Sequence, residues 1–279
     1  MGKVKNIEVR FIQPKTAKDF VKKFHYSGKV VNNSQLNFGC YYKGLLHGVM
    51  SFGPPMIKSK VIGLVTGTGW NEMVELNRMA FDDFLPRNSE SRCLAIAFKI
   101  IRKEYPYIKW VLSFSDGCQS GDGTIYRATG FVLTQIRRNT ANIIMPDGEI
   151  ICTLTVTSCP SLPSVQSICR KYNIKIRGAT AKPLLDAGGK YISGFQLRYI
   201  YFLHKDEIKN LTCPILPFSK IDELGAGMYR GERIKVSDRK PTSEYSVDSS
   251  TPVIQAGGGG ADPTYSLQLP EGNNGNDAD

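Results

Sequence analysis

SFSDGCQSGDGTIYRATGF, residues Ser113 to Phe131, is the stretch on which the fold of this chain turns. It joins the end of an aromatic and aliphatic run, IKWVLSFSDG, to TIYRATGF through a loop rich in Asp and Gly. The run from Ile108 to Phe114 predicts a buried strand that stops at Asp116-Gly117. TIYRATGF predicts a short helix, with Gly130 in the left-handed position that ends helices and Phe131 packing back on the last turn. Asp116, at the open end of a strand, and Tyr126, four residues before Gly130, then both project into one cleft. Taken singly, Asp116 fits a turn or cap equally well, and Tyr126 a core tyrosine with a satisfied hydroxyl.

Upstream, MVELNRMAF predicts a strand, LPRNSES a loop, and SESRCLAIAFKIIRKEYP an amphipathic helix stopped by Pro106, with Leu94, Ile96, Ala97, Ile100 and Ile101 on the sheet. Val9 to Gln13 alternates like an edge strand ended by Pro14. Thr16 is then the expected N-cap of AKDFVKKFH, whose Phe20, Val21 and Phe24 share a face and which closes at His25-Tyr26-Ser27-Gly28. LNFGCYYKGLLHGVMSFG predicts a hairpin turning at Lys43-Gly44, and Met56 to Trp70 a loop. Downstream, FVLTQIRR and GFQLRYIYFLH are strands. Between them residues 139–193 read as an insertion holding a hairpin about Pro146-Asp147-Gly148 and a helix in SLPSVQSICRKYNI. The expected organisation is an α/β (α+β) domain over 1–235, a mixed central sheet flanked by helices. A tail over 236–279, with GGGGADP and EGNNGNDAD, lacks apolar periodicity and is expected to be disordered.

The formal charge of +11 is unevenly placed. The tail carries seven acids against two bases, a net of −5, which leaves +16 on residues 1–235. A body this basic suits a polyanion, nucleic acid first, although a generally basic enzyme would look the same. No apolar stretch reaches the roughly 18 residues that span a bilayer, and MGKVKNIEVRF lacks the apolar core of a signal peptide, so a cytoplasmic, non-membrane protein is expected. Seven cysteines without a CxxC pair, and three scattered histidines, argue against zinc fingers, a disulfide framework or a histidine-rich metal cage, while a mixed metal site stays open.

The order strand, loop, helix, strand, helix from Met73 to Phe131 resembles the core of the GCN5-related N-acetyltransferase (GNAT) fold, and IYRATGF is similar to that fold's Tyr-x-x-x-Gly-Phe signature. The resemblance implies that the fourth and fifth strands splay apart around a donor's acyl group. FHYSGKVVNNSQ, GTGWNEMVELNRMAF, LPRNSESR, SFSDGCQSGDGTIYRATGF and GFQLRYIYFLH, taken together over about Val9 to Glu232, resemble the bacteriophage Mom family of DNA-adenine modification proteins. What this resemblance implies is conversion of adenine in double-stranded DNA to N6-carbamoylmethyladenine, protecting phage DNA from restriction in the cytoplasm of the infected bacterial host. It also implies functional positions at His25, Tyr26, Arg78, Ser91, Asp116 and Tyr126, and a metal, iron, for which His25, Tyr26 and Asp116 are the expected ligands.

The chemistry of these residues fits that implication. Adenine N6 is a poor nucleophile because its lone pair is delocalised into the ring, so a carboxylate at Asp116 that takes one N6 proton would help. Tyr126 can donate to a leaving group or a developing oxyanion, and Arg78 presents a planar fork to a carbonyl or phosphate, or to a surface carboxylate. His25 and Tyr26 can read the base, move a proton or hold a metal, or simply close the helix. Arg87, Ser89 and Ser91 open the following helix, where backbone N–H groups bind a donor's anion or a serine caps.

Coenzyme-A enzymes of the fold usually carry glycines in that loop; here Arg87-Asn88-Ser89-Glu90-Ser91-Arg92 has none. Acetyl-CoA and an aminoacyl-tRNA are the two candidate donors, since a glycyl group on N6 has the same atoms as carbamoylmethyl in the opposite order. The target base is stacked and paired, so it must be flipped out or caught unpaired, with Tyr26, Trp70 and Tyr126 as stacking surfaces.

Two other readings compete. One is an acyl- or aminoacyltransferase of the same fold acting on RNA, protein or a small molecule; the other is a non-catalytic DNA-shielding protein. If the basic body contacts phosphates, duplex affinity should fall by about 10³-fold or more between 50 and 200 mM salt, measured by fluorescence anisotropy.

Overall fold

A computed structural model describes residues 6–118, 121–158, 160–176, 180–229 and 232–233. The tail expected to be disordered, 236–279, lies outside the described residues. The chain forms two compact units, residues 140–192 by themselves and the stretches on either side of them together.

The larger unit starts with β1 (Ile7–Phe11) and α1 (Pro14–Phe24). Pro14 begins this helix, with Gln13 as its N-cap, where the sequence had pointed to Thr16. The reason is that proline has its φ preset for a first helical turn and lacks only an N–H that such a turn leaves unbonded. β2 (Leu36–Tyr42) and β3 (Leu45–Gly53) form the expected hairpin, with positive φ at Lys43 and Gly44 as a tight two-residue turn needs. The segment expected to be a loop after β3 contains a helical turn, α2 (Lys58–Val61), and a 3-10 turn over Ile62–Leu64 that delivers Val65 to the core. β4 (Met73–Phe81), α3 (Ser89–Glu104), β5 (Trp110–Asp116), α4 (Thr124–Thr129) and β6 (Val132–Arg138) follow the sequence reading closely. The buried stripe of α3 is Cys93, Leu94, Ala97, Phe98 and Ile101, with Ile100 packed on its edge; of the expected set only Ile96 lies off it, and Phe98 takes its place.

The smaller unit holds β7 (Asn142–Ile144), β8 (Ile150–Cys152), α5 (Thr153–Ser158), α6 (Pro163–Lys171), α7 (Lys182–Asp186) and β9 (Lys190–Tyr191). Its three-stranded sheet and helices enclose a core of Ile143, Met145, Ile151, Val156, Val165, Ile168 and Leu184. The chain then returns to the main sheet as β10 (Phe195–Phe202), followed by α8 (Ser219–Glu223), β11 (Met228–Tyr229) and β12 (Glu232–Arg233).

The main sheet has the order β1-β2-β3-β4-β5-β10-β6 and is mixed. Every neighbouring pair is antiparallel except β4 and β5, which run parallel through Met73↔Trp110, Val74↔Val111 and Glu75↔Leu112 only. Beyond that point β4 stays with β3 and β5 with β10, so a wedge opens between Leu76–Phe81 and Ser113–Asp116. This seven-stranded, helix-flanked sheet with one splayed parallel pair is the acetyltransferase-like fold. α1 covers one face through Ala17, Phe20 and Val21 against Val49 and Ala80. α3 covers the other through Leu94, Ala97, Phe98 and Ile101 against Val74, Leu76 and Val111.

Three bonds shape the turn into α4. Ser115 Oγ donates to Gly121 O, the fully buried Tyr199 hydroxyl donates to Asp122 O, and Arg127 pairs with Asp122 at 3.1 Å. Gly123 caps α4 at φ +84°, and a Cβ there would sit 2.4 Å from the Tyr199 ring. Gly123→Ala should therefore cost about 1–3 kcal/mol in urea unfolding, through both the backbone conformation and the clash.

Candidate active site at the splayed strands

Strand alternation assigns the wedge's side chains to the two faces of the sheet. On β5, Trp110, Leu112 and Asp116 share one face, and Val111, Ser113 and Ser115 the other. On β4, Arg78 and Ala80 face α1, while Met79 and Phe81 pack into the α3 core. His25 and Tyr26, just past the C-terminus of α1, and Arg78 and Asp116 therefore approach from one side. Tyr126 approaches from the other, its ring 5.2 Å from Phe131 and 5.3 Å from Tyr199.

His25 caps α1 by donating its backbone N–H to Val21 O. Its Nδ1 accepts the Ser27 backbone N–H at 3.2 Å and lies 2.8 Å from Ser27 Oγ. The imidazole stacks on Tyr26 with centroids 4.3 Å apart. Burial, and then the Arg78 charge, lower its pKa to about 4, so it is neutral at physiological pH. Tyr26 is 55 % exposed as a whole, yet its hydroxyl end is buried against the site. That burial and the Asp116 carboxylate push the phenol up to about 12, against an opposing pull from Arg78.

Arg78 is anchored twice, Nε donating to Lys29 O at 2.9 Å and Nη1 to Asn77 O at 2.6 Å. No carboxylate lies within ion-pair distance of it among the described residues, and burial lowers its pKa. A partly buried guanidinium held by carbonyls is ready for an anionic or carbonyl ligand. Asp116 Oδ1 accepts the Cys118 N–H at 3.0 Å, and burial together with Asp116 raises the Cys118 thiol to about 12. Tyr126 is raised by burial. Ser113 Oγ is fully buried without a hydrogen bond of normal geometry, yet it lies close enough to hold the Tyr126 phenol down.

The sequence reading missed Glu75. It stands at the last β4–β5 pair, where burial lifts its carboxyl to about 7 and Arg78 only partly offsets the rise. Its charge is felt by Tyr126 on the opposite side of the sheet, adding a smaller upward push to that of burial. The available signal was a carboxylate inside the otherwise apolar MVEL run, on the α1-facing side of the strand.

The loop into α3 divides its roles. Ser89 is fully buried and its hydroxyl donates to Pro86 O, so it shapes the loop. Ser91 Oγ donates to Asn88 O at 3.2 Å, and Arg87 is exposed. Asn88 supplies the left-handed residue, at φ +70°, that the glycine-free loop requires. Trp70 is 60 % exposed beneath Lys58, whose Nζ lies 5.0 Å from the ring centre. Among the described residues no three His, Cys, Asp or Glu side chains converge as metal ligands would. The His25, Tyr26 and Asp116 set includes only one His and one carboxylate and is not part of any such group, so it does not fit an iron centre. No helix among the described residues is long and apolar enough to cross a membrane.

The model of the Mom protein family matches residues 6–220, which takes in both sides of the wedge. The chain belongs to the Mom family. One relative, the methylcarbamoylase Mom of Escherichia phage Mu, is 37 % identical over 127 residues, 46 % of this chain. The match spans 53 % of that relative's length. Solved structures of similar shape include a spermidine/spermine N-acetyltransferase from Vibrio cholerae (8 % identical, 75 % of this chain and 99 % of that one, TM-score 0.39). Another is a GNAT family acetyltransferase from Elizabethkingia anophelis with acetyl-CoA bound (12 % identical, 71 % and 98 %, TM-score 0.37).

Glu75 gives a pH signature. Its folded pKa lies above the ordinary carboxylate value of 4.5, so the folded chain holds a proton that the unfolded one releases, and its contribution to stability is lost as pH rises from about 4.5 through about 7. Glu75→Gln should thus gain stability relative to wild type by about 2–3 kcal/mol between pH 5 and pH 8, measured by paired urea melts.

Proposed function

We propose that this chain modifies the N6 amine of adenine in double-stranded phage DNA, building N6-carbamoylmethyladenine and so shielding the DNA from host restriction enzymes. The observation that carries this reading is membership of the Mom family over residues 6–220, together with the Tyr26, Arg78, Glu75, Asp116 and Tyr126 cluster at the mouth of the wedge. The charge of +16 on residues 1–235 supports a nucleic-acid substrate.

In this reading the base enters from the α1 side and the donor from the α3 and α4 side, and they meet where β4 and β5 part. Asp116 accepts the N6 proton as the new N–C bond forms. Glu75, titrating near neutrality, is the second carboxyl able to pass that proton on toward Tyr126. Tyr126 donates to the leaving oxygen or sulfur, which departs neutral. Arg78 and the neutral His25 orient the acyl carbonyl.

Atom balance separates the donors. A glycyl ester of tRNA supplies both carbons, the oxygen and the nitrogen of the final group. N6–C forms, the ester C–O breaks and the N6 proton ends on the tRNA oxygen; in a following rearrangement the N6–C(O) and CH2–NH2 bonds break as N6–CH2 and C(O)–NH2 bonds form, with no atom or electron gained or lost. Acetyl-CoA supplies no nitrogen. The proposed donor is therefore glycyl-tRNA; a product formed only with acetyl-CoA, when purified protein and oligonucleotide are offered each donor, would sink that choice.

Nucleosides from DNA of cells expressing the chain should contain the modified adenine by mass spectrometry, and wholly unmodified adenine would remove the reading. Asp116→Asn and Tyr126→Phe should each lower the modified fraction by about a hundredfold or more while duplex binding is kept.

A further inference from the structure

Beside Arg78, on the α1 face of the sheet, lies a cavity of about 180 Å3 whose walls include Ala17, Val21, Val30, Asn37, Ser51 and Arg78. Two of these are polar side chains sunk into the sheet, Asn37 5 % and Ser51 4 % exposed. They are cross-strand partners on β2 and β3, and Ser51 Oγ donates to Asn37 Oδ1 at 2.7 Å. That bond fixes the amide, and Asn37 Nδ2 makes no hydrogen bond among the described residues, although the side chain lines the cavity. Arg78 adds Nη2, since its Nε and Nη1 are bound to carbonyls.

Asn37 Nδ2 is not sealed in the sheet but reaches the open space of the cavity, so it can donate to a ligand that enters there. The ligand's character follows from the walls. The Ala17, Val21, Val30 and Val31 faces suit a flat apolar body, while Asn37 and Arg78, with Lys18, Asn32 and Ser34 also in the wall, suit a rim of acceptors, and the two cationic side chains disfavour a cation. A cavity of about 150 Å3 admits a benzene ring, and cofactor-sized ligands usually need about 300 Å3 or more, so one heteroaromatic base fits and a whole cofactor does not. The outer side of α1 and the loop after it carry exposed Lys22, Lys23 and Lys29, suitably placed for the phosphates that flank a flipped nucleotide.

We propose that this cavity receives the extruded target adenine, and that Asn37, set by Ser51, reads it by donating from Nδ2 to a ring nitrogen. N1 of adenine accepts such a bond, whereas N1 of guanine carries a hydrogen and would oppose the amide, so the same contact selects the base. The inference rests on the reading of the chain as a DNA-adenine modifying enzyme and supplies the base-recognising residues that reading lacks.

The test uses the full chain and a duplex carrying one 2-aminopurine, a fluorescent adenine isomer that keeps N1 as an acceptor, placed opposite a mismatch. Wild type should brighten the probe as the base leaves the stack. Asn37→Asp, equal in size but with the donor replaced by an acceptor, should keep duplex affinity within about twofold by anisotropy and require about tenfold more protein for the brightening. Val31→Trp, which fills the cavity from its rim and leaves the Asn37–Ser51 bond intact, should give the same loss, and decides the matter if Asn37→Asp melts below the assay temperature. Wild-type brightening absent, or unchanged in the folded variants, overturns the proposal. Brightening that depends on Asn37 in a protein that leaves DNA chemically unmodified upholds the cavity and removes the reaction. Modified DNA with Asn37 variants at wild-type rate removes the cavity alone.

Discussion

β4 and β5 are held together by three residue pairs and then part, and the site depends on that parting. A parallel pair buried on both faces would ordinarily continue as an apolar ladder. Here β4 keeps its other neighbour β3, and β5 keeps β10, so the backbone groups facing the wedge are released without loss of the sheet. The opening lets side chains from opposite faces approach one another. Tyr126, packed on the α3 side, feels the charge of Glu75, which in turn feels Arg78. Closed by a fourth pair, the same residues would sit on separate surfaces with a sheet between them.

The charges around the wedge are arranged to keep most partners neutral. Arg78 is the fixed positive group; beside it His25 is held unprotonated and Tyr26 protonated, and Glu75 sits near the midpoint of its titration at physiological pH. Burial is the largest cause in all three cases, so the low polarity of the cleft, rather than any single ion pair, sets the protonation pattern. Of these groups only Glu75 lies close to its own midpoint at neutral pH, so it is the one able both to take up and to release a proton there.

Much of the fold was legible because its signals are local. Lys43-Gly44, Pro106 and Gly130 end elements through their own backbone preferences, and the apolar runs of β4, β5 and β10 carry their own period. What was not legible depends on neighbours distant in sequence. Pro14 reads as a strand terminator or a helix start, and the packing of Ala17, Phe20 and Val21 on Val49 and Ala80 favours the helix. Glu75 looks like an ordinary strand glutamate until the wedge and Arg78 are placed around it. That the Ser89 hydroxyl donates to Pro86 O, and so shapes the loop, has no sign in the local sequence. Asn37 and Ser51 are unremarkable singly, and their register across the hairpin is what makes them a pair.

The 140–192 unit leaves and rejoins the main sheet at a neck closed by the Asn139 N–H donating to Gly194 O at 2.8 Å. Just beyond it β10 is in register with both β6 and β5, Gln196 opposite Asp116. To the main sheet, the whole inserted unit is thus the tip of a hairpin whose ends are already in contact. Loop-closure entropy grows only logarithmically, about 0.6 kcal/mol per doubling of length, and a segment with its own core repays its own ordering. The register that sets Asp116 therefore depends only weakly on the length of what the hairpin carries, so a module of different size at that position costs the carboxylate's strand little.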